Sequence, residues 1–168
     1  MSEEVPWPAC FACKYEGRGR PCFQNDRLDT PRLVRTWREY QRLSAGSRDE
    51  RKRADDLFWV WECYDTLAHH APEKALELIC DTLDAVDSDK EIGLLAAGPM
   101  EDLIAGHGES VIDEVERLAW SDLKFRQMLL GVWSQGNDDS EVWQRVLRAR
   151  AGKRPESLSR KPTKPHGA

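Results

Sequence analysis

Glu101 and His107 are the residues whose types most suggest acid–base chemistry, and they lie six positions apart in "EDLIAGH". A carboxylate and an imidazole exchange a proton only within hydrogen-bond distance of each other or of a shared substrate. Six residues of helix span nearly two turns, which is too far for direct coupling. A third group such as Glu62, brought in by folding, would be needed. The spacing therefore leaves open a small enzyme or ligand binder that uses Glu62, Glu101 and His107.

The same stretch also has a structural interpretation, as the joint between two helices. Gly98 is expected to cap a helix whose first residue is Pro99, where no N–H is needed. Glu101 then falls in the first turn, where a carboxylate accepts from free N–H groups and complements the helix dipole. Gly106 and Gly108 suit the left-handed conformation that ends helices. Every unusual residue of the stretch thus has a predicted structural role.

Three cysteines near the N-terminus could bind zinc. Cys10 and Cys13 form a C-x-x-C pair, and Cys22 follows after a glycine-rich spacer. Two thiolates at this spacing reach one zinc ion, but a structural site needs four ligands. The fourth would have to come from the rest of the chain: Cys63, Cys80, His69 or His70. The alternative is an ordinary or redox-sensitive N-terminal segment, with Cys63 and Cys80 acting as small apolar core residues.

Helical periodicity is the dominant pattern from Thr30 onward. Apolar residues recur at intervals of three and four, and no apolar/polar alternation lasts long enough for a strand. The chain therefore predicts an all-α fold of about seven helices, as stacked antiparallel hairpins in a HEAT-like array or an irregular bundle. The predicted domains are a cysteine-containing N-terminal segment at 1–29, a single helical domain at 30–150 and a disordered basic tail at 151–168.

Several helix boundaries and buried faces follow from caps and apolar stripes. Thr30 is expected to cap the first helix, with Pro31 at its first position, and Ser47 or Asp49 to begin the second. The second carries one main apolar stripe: Ala54, Leu57, Phe58, Trp61, Tyr64 and Ala68. Further residues widen this stripe, so the helix is expected to be central and covered on several sides: Trp59, Val60, Cys63 and Leu67. Pro72 is expected to open the third, whose buried face is a similar set: Ala75, Leu76, Ile79, Leu83 and Val86. Another helix is expected over "LKFRQMLLGVW" at 123–133.

Five of the tryptophans lie on predicted helices: Trp37, Trp59, Trp61, Trp133 and Trp143. Tryptophan on an apolar stripe is more often a core residue than part of a ligand cage, so we predict a structural role for them. Trp59 is the expected exception, because it lies off the main stripe.

Charge is unevenly distributed along the chain. The formal net charge is −5, but residues 54–150 hold 8 Lys/Arg against 21 Asp/Glu. This acidic body repels nucleic acid and attracts basic proteins, whereas the basic tail can attract nucleic acid or fold against the acidic face. The predicted partner-binding face is a cluster of carboxylates: Asp81, Asp84, Asp87, Asp89, Asp113, Glu114 and Glu116.

Four segments carry a resemblance to a known group of proteins: "FWVWE" at 58–62, "PEKALELI" at 72–79, "AAGPMEDLIAGHG" at 96–108 and "LKFRQMLLGVW" at 123–133. From about Trp37 to Trp143 the chain resembles an uncharacterised family of small bacterial helical proteins, a domain of unknown function. The resemblance implies a helical fold and draws attention to Glu62, Glu101 and His107. It implies no known activity, and it does not cover the cysteine segment or the tail.

No common enzyme signature occurs in the sequence: a P-loop, a nucleophile elbow, an H-E-x-x-H motif and a dinucleotide fingerprint are all missing. No apolar run approaches the roughly 18 residues of a membrane span, and "MSEEVPWPAC" has no signal-peptide pattern, so we expect a cytoplasmic protein. The leading hypothesis is a helical protein-interaction module, for example an immunity- or antitoxin-like binder of a basic protein. The alternatives are the small enzyme or ligand binder described above and a zinc-dependent regulator.

Overall fold

Helices make up most of the part of the chain that the computed structural model describes, which comprises residues 23–24, 27–155 and 158. The all-α prediction is confirmed. The helices are α1 Thr30–Ser44, α2 Arg48–Asp55, α3 Trp59–His70, α4 Pro72–Ala85, α5 Asp89–Leu95, α6 Glu101–Ser121, α7 Leu123–Met128 and α8 Glu141–Arg150. Two-residue antiparallel strands, Phe23–Gln24 and Arg27–Leu28, precede α1. None of the described helices is both long and apolar enough to cross a membrane.

Some predictions fall outside the described residues. Cys10, Cys13 and Cys22 lie there, as does most of the tail at 151–168. The stacked-hairpin arrangement and the domain boundaries stay predictions.

Helix α6 holds the fold together because it packs against α3, α4, α7 and α8. It buries one stripe over its whole length: Leu103, Ile104, Val111, Ile112, Val115 and Ala119. Facing it, α4 buries the stripe predicted from its sequence: Ala75, Leu76, Ile79 and Leu83, with Val86 just beyond the helix. These two stripes form the centre of the core.

The predicted helix starts are mostly correct. Ser47 caps α2 and exchanges hydrogen bonds with Glu50, which is a reciprocal capping box. Pro72 opens α4 as expected. The cap of α1 is Asp29 rather than Thr30, since the Asp29 carboxylate accepts from the Arg32 N–H at 3.0 Å.

The single helix predicted from Ser47 or Asp49 to Ala68 is divided into two in the structure, since the chain leaves the helix after Asp55 and starts α3 at Trp59. The buried face of α3 consists of residues from the predicted stripe and from the residues that widen it: Val60, Cys63, Tyr64, Leu67 and Ala68. Phe58 and Trp61 lie at the surface, where their rings stack with centroids 5.5 Å apart. Residues 57–61 are five consecutive apolar residues, so periodicity alone could not decide which of them face the core.

The predicted joint at Gly98–Pro99 is also different in the structure. Ala96–Met100 forms a π-helical turn that connects α5 to α6 without ending a helix, and the Glu101 N–H donates to the Ala96 carbonyl. A proline removes one helical hydrogen bond, and a π turn accommodates that loss. Gly98 is therefore not an N-cap. The predicted break at Gly106–Gly108 is present as a kink at His107 that divides α6 into two helical segments, but neither glycine has the predicted left-handed conformation. Only His107 departs from helical geometry there, with φ −141° and ψ 24°.

The helix predicted over 123–133 is shorter than expected. Helix α7 ends at Met128, a 3₁₀ turn follows at Leu129–Gly131, and Val132 is extended. Gly131 lies against the π turn: a Cβ added to it would be 2.9 Å from the Ala96 Cβ. The close approach of these two irregular turns brings residue 133 to the start of α6.

Gly108 permits the close packing of α6 on α8, which gives a first testable prediction. An added Cβ would lie 2.5 Å from Val142 Cγ1, and the branched valine has little freedom to move away. We expect Gly108→Ala to lower the free energy of unfolding by about 1–3 kcal/mol, the usual cost of overpacking. The measurement is denaturant unfolding.

Gly106→Ala is the matched control for this prediction. No atom lies within 4 Å of a Cβ added at Gly106, although both glycines belong to α6. The control should be neutral or stabilise by up to about 1 kcal/mol, since alanine favours helix. Equal losses in the two variants would contradict the packing explanation.

Candidate functional site

The Glu101 carboxylate connects two segments that are far apart in the sequence. Its Oε2 accepts from the Trp133 backbone N–H at 2.9 Å, and its Oε1 accepts from Gln135 Nε2 at 2.6 Å. The residue is only 9% exposed, so both oxygens are largely removed from water. The predicted capping of its own helix is therefore wrong. Because the π turn keeps the chain helical before Glu101, no free first-turn N–H groups are available to it.

The segment that Glu101 holds, the loop 132–140, is fixed by further hydrogen bonds. Gln135 and Gly136 have φ angles of 50° and 85°, which turn the chain sharply. Ser134 Oγ donates to Asp138 Oδ1 at 2.8 Å, and Ser140 caps α8 by accepting from its first turn. The conformation of the loop is thus determined at both ends and in the middle.

Trp133 projects from this loop into a cleft beside the irregularity at His107. The side chain is 73% exposed, so the prediction of a core role for Trp133 is wrong. The cleft has a volume of about 350 Å³. Helix α6 contributes Ile104 to Ser110 on one side, and the other side consists of Trp133, Ser134, Asn137, Ser140, Val142 and Trp143. We call this the aromatic cleft.

The other tryptophans divide between core and surface. Trp37 and Trp143 are buried as predicted, and Arg150 lies 5.4 Å above the Trp143 ring. Trp59 packs partly buried against the core, with Arg32 over its ring, whereas Trp61 is exposed. The exceptions to the predicted core role are therefore Trp61 and Trp133 rather than Trp59.

The three candidate catalytic residues have different surroundings. Glu101 holds the loop, while the His107 ring makes an edge contact with the ring of His69, with centroids 5.5 Å apart. His69 Nδ1 lies 2.8 Å from the Asp65 carbonyl oxygen. Glu62 is half-buried in the first turn of α3. Glu101 and His107 thus face different neighbours, and the contacts of the described residues do not pair them for proton transfer.

Asp102 lies close to this histidine pair. Burial raises the pKa of its carboxyl, the negative charges of Asp65 and Glu101 raise it further, and His69 opposes them. The Asp102 charge is therefore disfavoured in the folded protein.

A second depression, between α4 and α6, has a volume of about 670 Å³. Its lining combines carboxylates with apolar side chains: Glu73, Leu76, Glu77, Cys80, Asp81, Ser110, Val111, Glu114 and Leu118. Leu76 and Val111 are almost fully buried and form the floor. We call this depression the acidic groove.

The electrostatic potential of the acidic groove is strongly negative. Burial raises the pKa of the Asp81 carboxyl, and the neighbouring charges of Asp84 and Glu77 raise it further. Burial also raises the pKa of the Cys80 thiol to about 12, with added contributions from nearby carboxylates, Asp81 first among them. Glu114 pairs with Arg117 and Glu77 with Lys74, but Asp81 forms no ion pair with a described residue. The groove therefore favours a cationic ligand.

The residues of the predicted partner-binding face have different surroundings. Asp81 and Glu114 line the acidic groove, and exposed Asp84, Asp87 and Asp89 lie near the C-terminal end of α4. Glu116 is buried and accepts from Arg145 at 2.6 Å, so its carboxylate is already paired within the fold.

Asp113 binds the same arginine, at 2.5 Å, so it also serves to attach α8 to α6. The prediction missed Glu73 and Glu77, although their spacing of four residues from each other and from Asp81 places all three on one side of α4.

A metal site is not formed by the described residues, among which no three His, Cys, Asp or Glu side chains are arranged to hold an ion. Cys63 is buried and Cys80 is partly buried against the core, as expected of small apolar residues. The zinc prediction for Cys10, Cys13 and Cys22 concerns residues outside this part of the chain and stays a prediction.

Replacing Glu101 provides a test of its role in holding the loop. Glutamine keeps the shape but presents an NH₂ group to one of the two donors, so one charge-assisted hydrogen bond is lost. We expect Glu101→Gln to lower the free energy of unfolding by about 1.5–3 kcal/mol, the range for hydrogen bonds to charged groups. Chemical denaturation measures this.

Asp102→Asn is the control, because it removes an adjacent carboxylate whose charge the fold disfavours. It should leave stability unchanged or raise it at neutral pH. A loss of only about 0.5 kcal/mol in Glu101→Gln, the scale of a surface helix-dipole effect, would contradict the role described here.

Comparison with known proteins agrees with the resemblance noted in the sequence. No curated protein and no solved structure matches the chain. One family does match, over residues 47–154, which include α2 to α8, the aromatic cleft and the acidic groove. The match begins after α1, ten residues later than the resemblance seen in the sequence, which started at about residue 37. It ends at residue 154, beyond the end of that resemblance at about residue 143. The chain belongs to the family described as a family of unknown function, DUF6869.

Proposed function

We propose that the protein is a helical interaction module whose acidic groove binds a basic, amphipathic segment of another protein. The observation that carries this proposal is the combination of an apolar floor with a carboxylate rim. The partly buried Cys80 and Leu118 offer an apolar surface above the buried Leu76 and Val111. The carboxylates of Glu73, Asp81 and Glu114 line the same groove. An amphipathic helix with lysines or arginines beside an apolar stripe presents the complementary pattern.

The cost of the acidic rim to the free protein supports this proposal. Glu73, Glu77 and Asp81 follow one another at intervals of four along α4, and like charges at that spacing destabilise a helix. Lys74 relieves part of this repulsion at Glu77, but Asp81 has no cation of its own among the described residues. A basic partner would relieve the remaining repulsion on binding.

Long-range electrostatics act in the same direction. Residues 54–150 carry 8 Lys/Arg against 21 Asp/Glu, so a basic partner is attracted before it makes contact. An immunity- or antitoxin-like role, in which this protein covers the basic surface of a toxin, is one form that such binding can take.

The chemistry of the groove favours binding over catalysis. Its nucleophile candidate is Cys80, and a thiol with a pKa of about 12 is almost entirely protonated near neutral pH. The other ionisable side chains that line the groove are carboxylates.

Peptide binding tests the proposal. The probe is an amphipathic peptide of leucine, alanine and lysine, about 14 residues or four helical turns long. We expect isothermal titration calorimetry to detect binding that weakens steeply between about 50 and about 500 mM salt. The combined variant Glu73→Gln, Glu77→Gln and Asp81→Asn should weaken binding at least about tenfold.

Asp55→Asn on α2 serves as the control for this experiment, because it removes an exposed carboxylate outside the groove. A peptide with glutamate in place of lysine controls for apolar contact alone. Binding that is indifferent to salt, or equally weakened by Asp55→Asn, would contradict the proposed role of the groove.

Asp81 should also show opposite effects on stability and binding. Its folded-state pKa is raised above the ordinary value of 3.8, so its charge opposes folding above that pH. We expect Asp81→Asn to raise the melting temperature at about pH 7 and to weaken peptide binding. The stabilisation should disappear at about pH 3, where the wild-type carboxyl is protonated in both the folded and unfolded states. A lower melting temperature at neutral pH would refute this account of Asp81.

A further inference from the structure

We propose that the aromatic cleft is the anchoring subsite of the acidic groove and takes an arginine side chain of the bound basic segment. This inference rests on the proposed function and adds which residue type the partner must carry. It depends on the continuity of the two depressions, the exposure of Trp133 and the charge of the cleft lining.

The two depressions adjoin along α6. Ser110 lines both of them: residues 104–110 face the aromatic cleft, and Ser110, Val111, Glu114 and Leu118 face the acidic groove. A segment lying along the groove therefore reaches the cleft at one end without crossing another helix.

Trp133 offers a flat, exposed aromatic surface at that end. Trp133 is 73% exposed, the highest value among the exposed large hydrophobic side chains of the described residues, and its backbone N–H is held by the buried Glu101. Because the loop is already ordered, a ligand that stacks on the indole incurs little additional loss of loop entropy. An ordered, exposed aromatic of this kind is typical of binding hot spots.

The lining of the cleft selects for a cation. It contains the carboxylate of Glu109 and no lysine or arginine among the described residues, and Glu109 forms no ion pair with a described residue. An anionic ligand would be repelled, whereas a cation gains from both the indole face and the carboxylate.

Arginine fits this combination better than lysine. The planar guanidinium stacks on an aromatic ring and can donate two parallel hydrogen bonds to one carboxylate. The compact ammonium of lysine is more strongly hydrated and offers no flat surface to an indole.

The test uses the Leu/Ala/Lys peptide described above with a single residue changed at one end. Arginine, lysine and alanine versions are made for each end of the peptide. A bound peptide can lie in the groove in either of two directions, and the direction decides which end reaches the aromatic cleft. At one end, arginine should bind about threefold to tenfold more tightly than lysine, on the scale of a cation over an indole ring. In ¹⁵N-labelled protein, the Trp133 indole N–H resonance should shift with the arginine version and not with the alanine version.

Variants of the cleft locate the effect. Trp133→Leu and Glu109→Gln should each remove most of the preference for arginine while leaving the salt-dependent binding of the lysine peptide. Trp120→Leu is the matched control, since Trp120 is also exposed, at 45%, but lines neither depression. Thermal melts of each variant show that the fold is intact.

The outcomes separate this inference from the proposed function. If no basic peptide binds, the proposed function fails and this inference fails with it. If the peptides bind with salt dependence but the arginine version binds no more tightly than the lysine version, only the anchoring role is overturned. The same holds if the arginine version keeps its higher affinity in Trp133→Leu.

The chain's own basic tail is the remaining alternative occupant. Replacing Arg160, Lys161 and Lys164 with glutamine should leave peptide affinity unchanged. An affinity gain of more than about threefold would identify the tail as the resident occupant and overturn the proposal, because a competing segment lowers apparent affinity in proportion to its occupancy.

Discussion

The buried carboxylate of Glu101 is the contact on which both the loop and the last helix depend. A carboxylate removed from water is stable only if donors satisfy it, and its donors here come from residues 133 and 135. By holding these residues, Glu101 sets the path of the loop that leads to Ser140, the cap of α8. Helix α8 then closes the core against α6, assisted by the ion pairs of Arg145. The Glu101 side chain, at the start of α6, therefore helps to direct the loop that brings α8 back against α6.

Helices α4 and α6 contribute apolar side chains to the core and carboxylates to the acidic groove. Helices α4 and α6 meet through Leu76 and Val111, and these apolar contacts stabilise the pair strongly enough to tolerate a repulsive rim above them. The fold thereby keeps carboxylates close together that would separate in an unfolded chain. Such stored repulsion is common where a surface has been selected for binding rather than for stability.

Sequence analysis succeeds where one period dominates and fails where contacts are long-range. The buried face of α4 could be predicted because its apolar residues follow a single helical period. The cap formed by Ser47 could be predicted because a capping box involves only residues that are close in the sequence. Residues 57–61 are apolar without interruption, so the position of α3 could not be predicted. The partners of Glu101 lie 32 and 34 residues away, and no local pattern reveals them.

The π turn at Ala96–Met100 has a consequence for the history of the family. A π turn contains one residue more than the regular helix it interrupts, and one residue rotates the following side chains by about 100°. Deleting a residue there would turn the face of α5 that buries Leu95 away from the core and would place Pro99 inside a regular helix, where it is poorly tolerated. Insertions and deletions should therefore be selected against between α5 and α6. Relatives that keep both helices are expected to align through this turn without a gap.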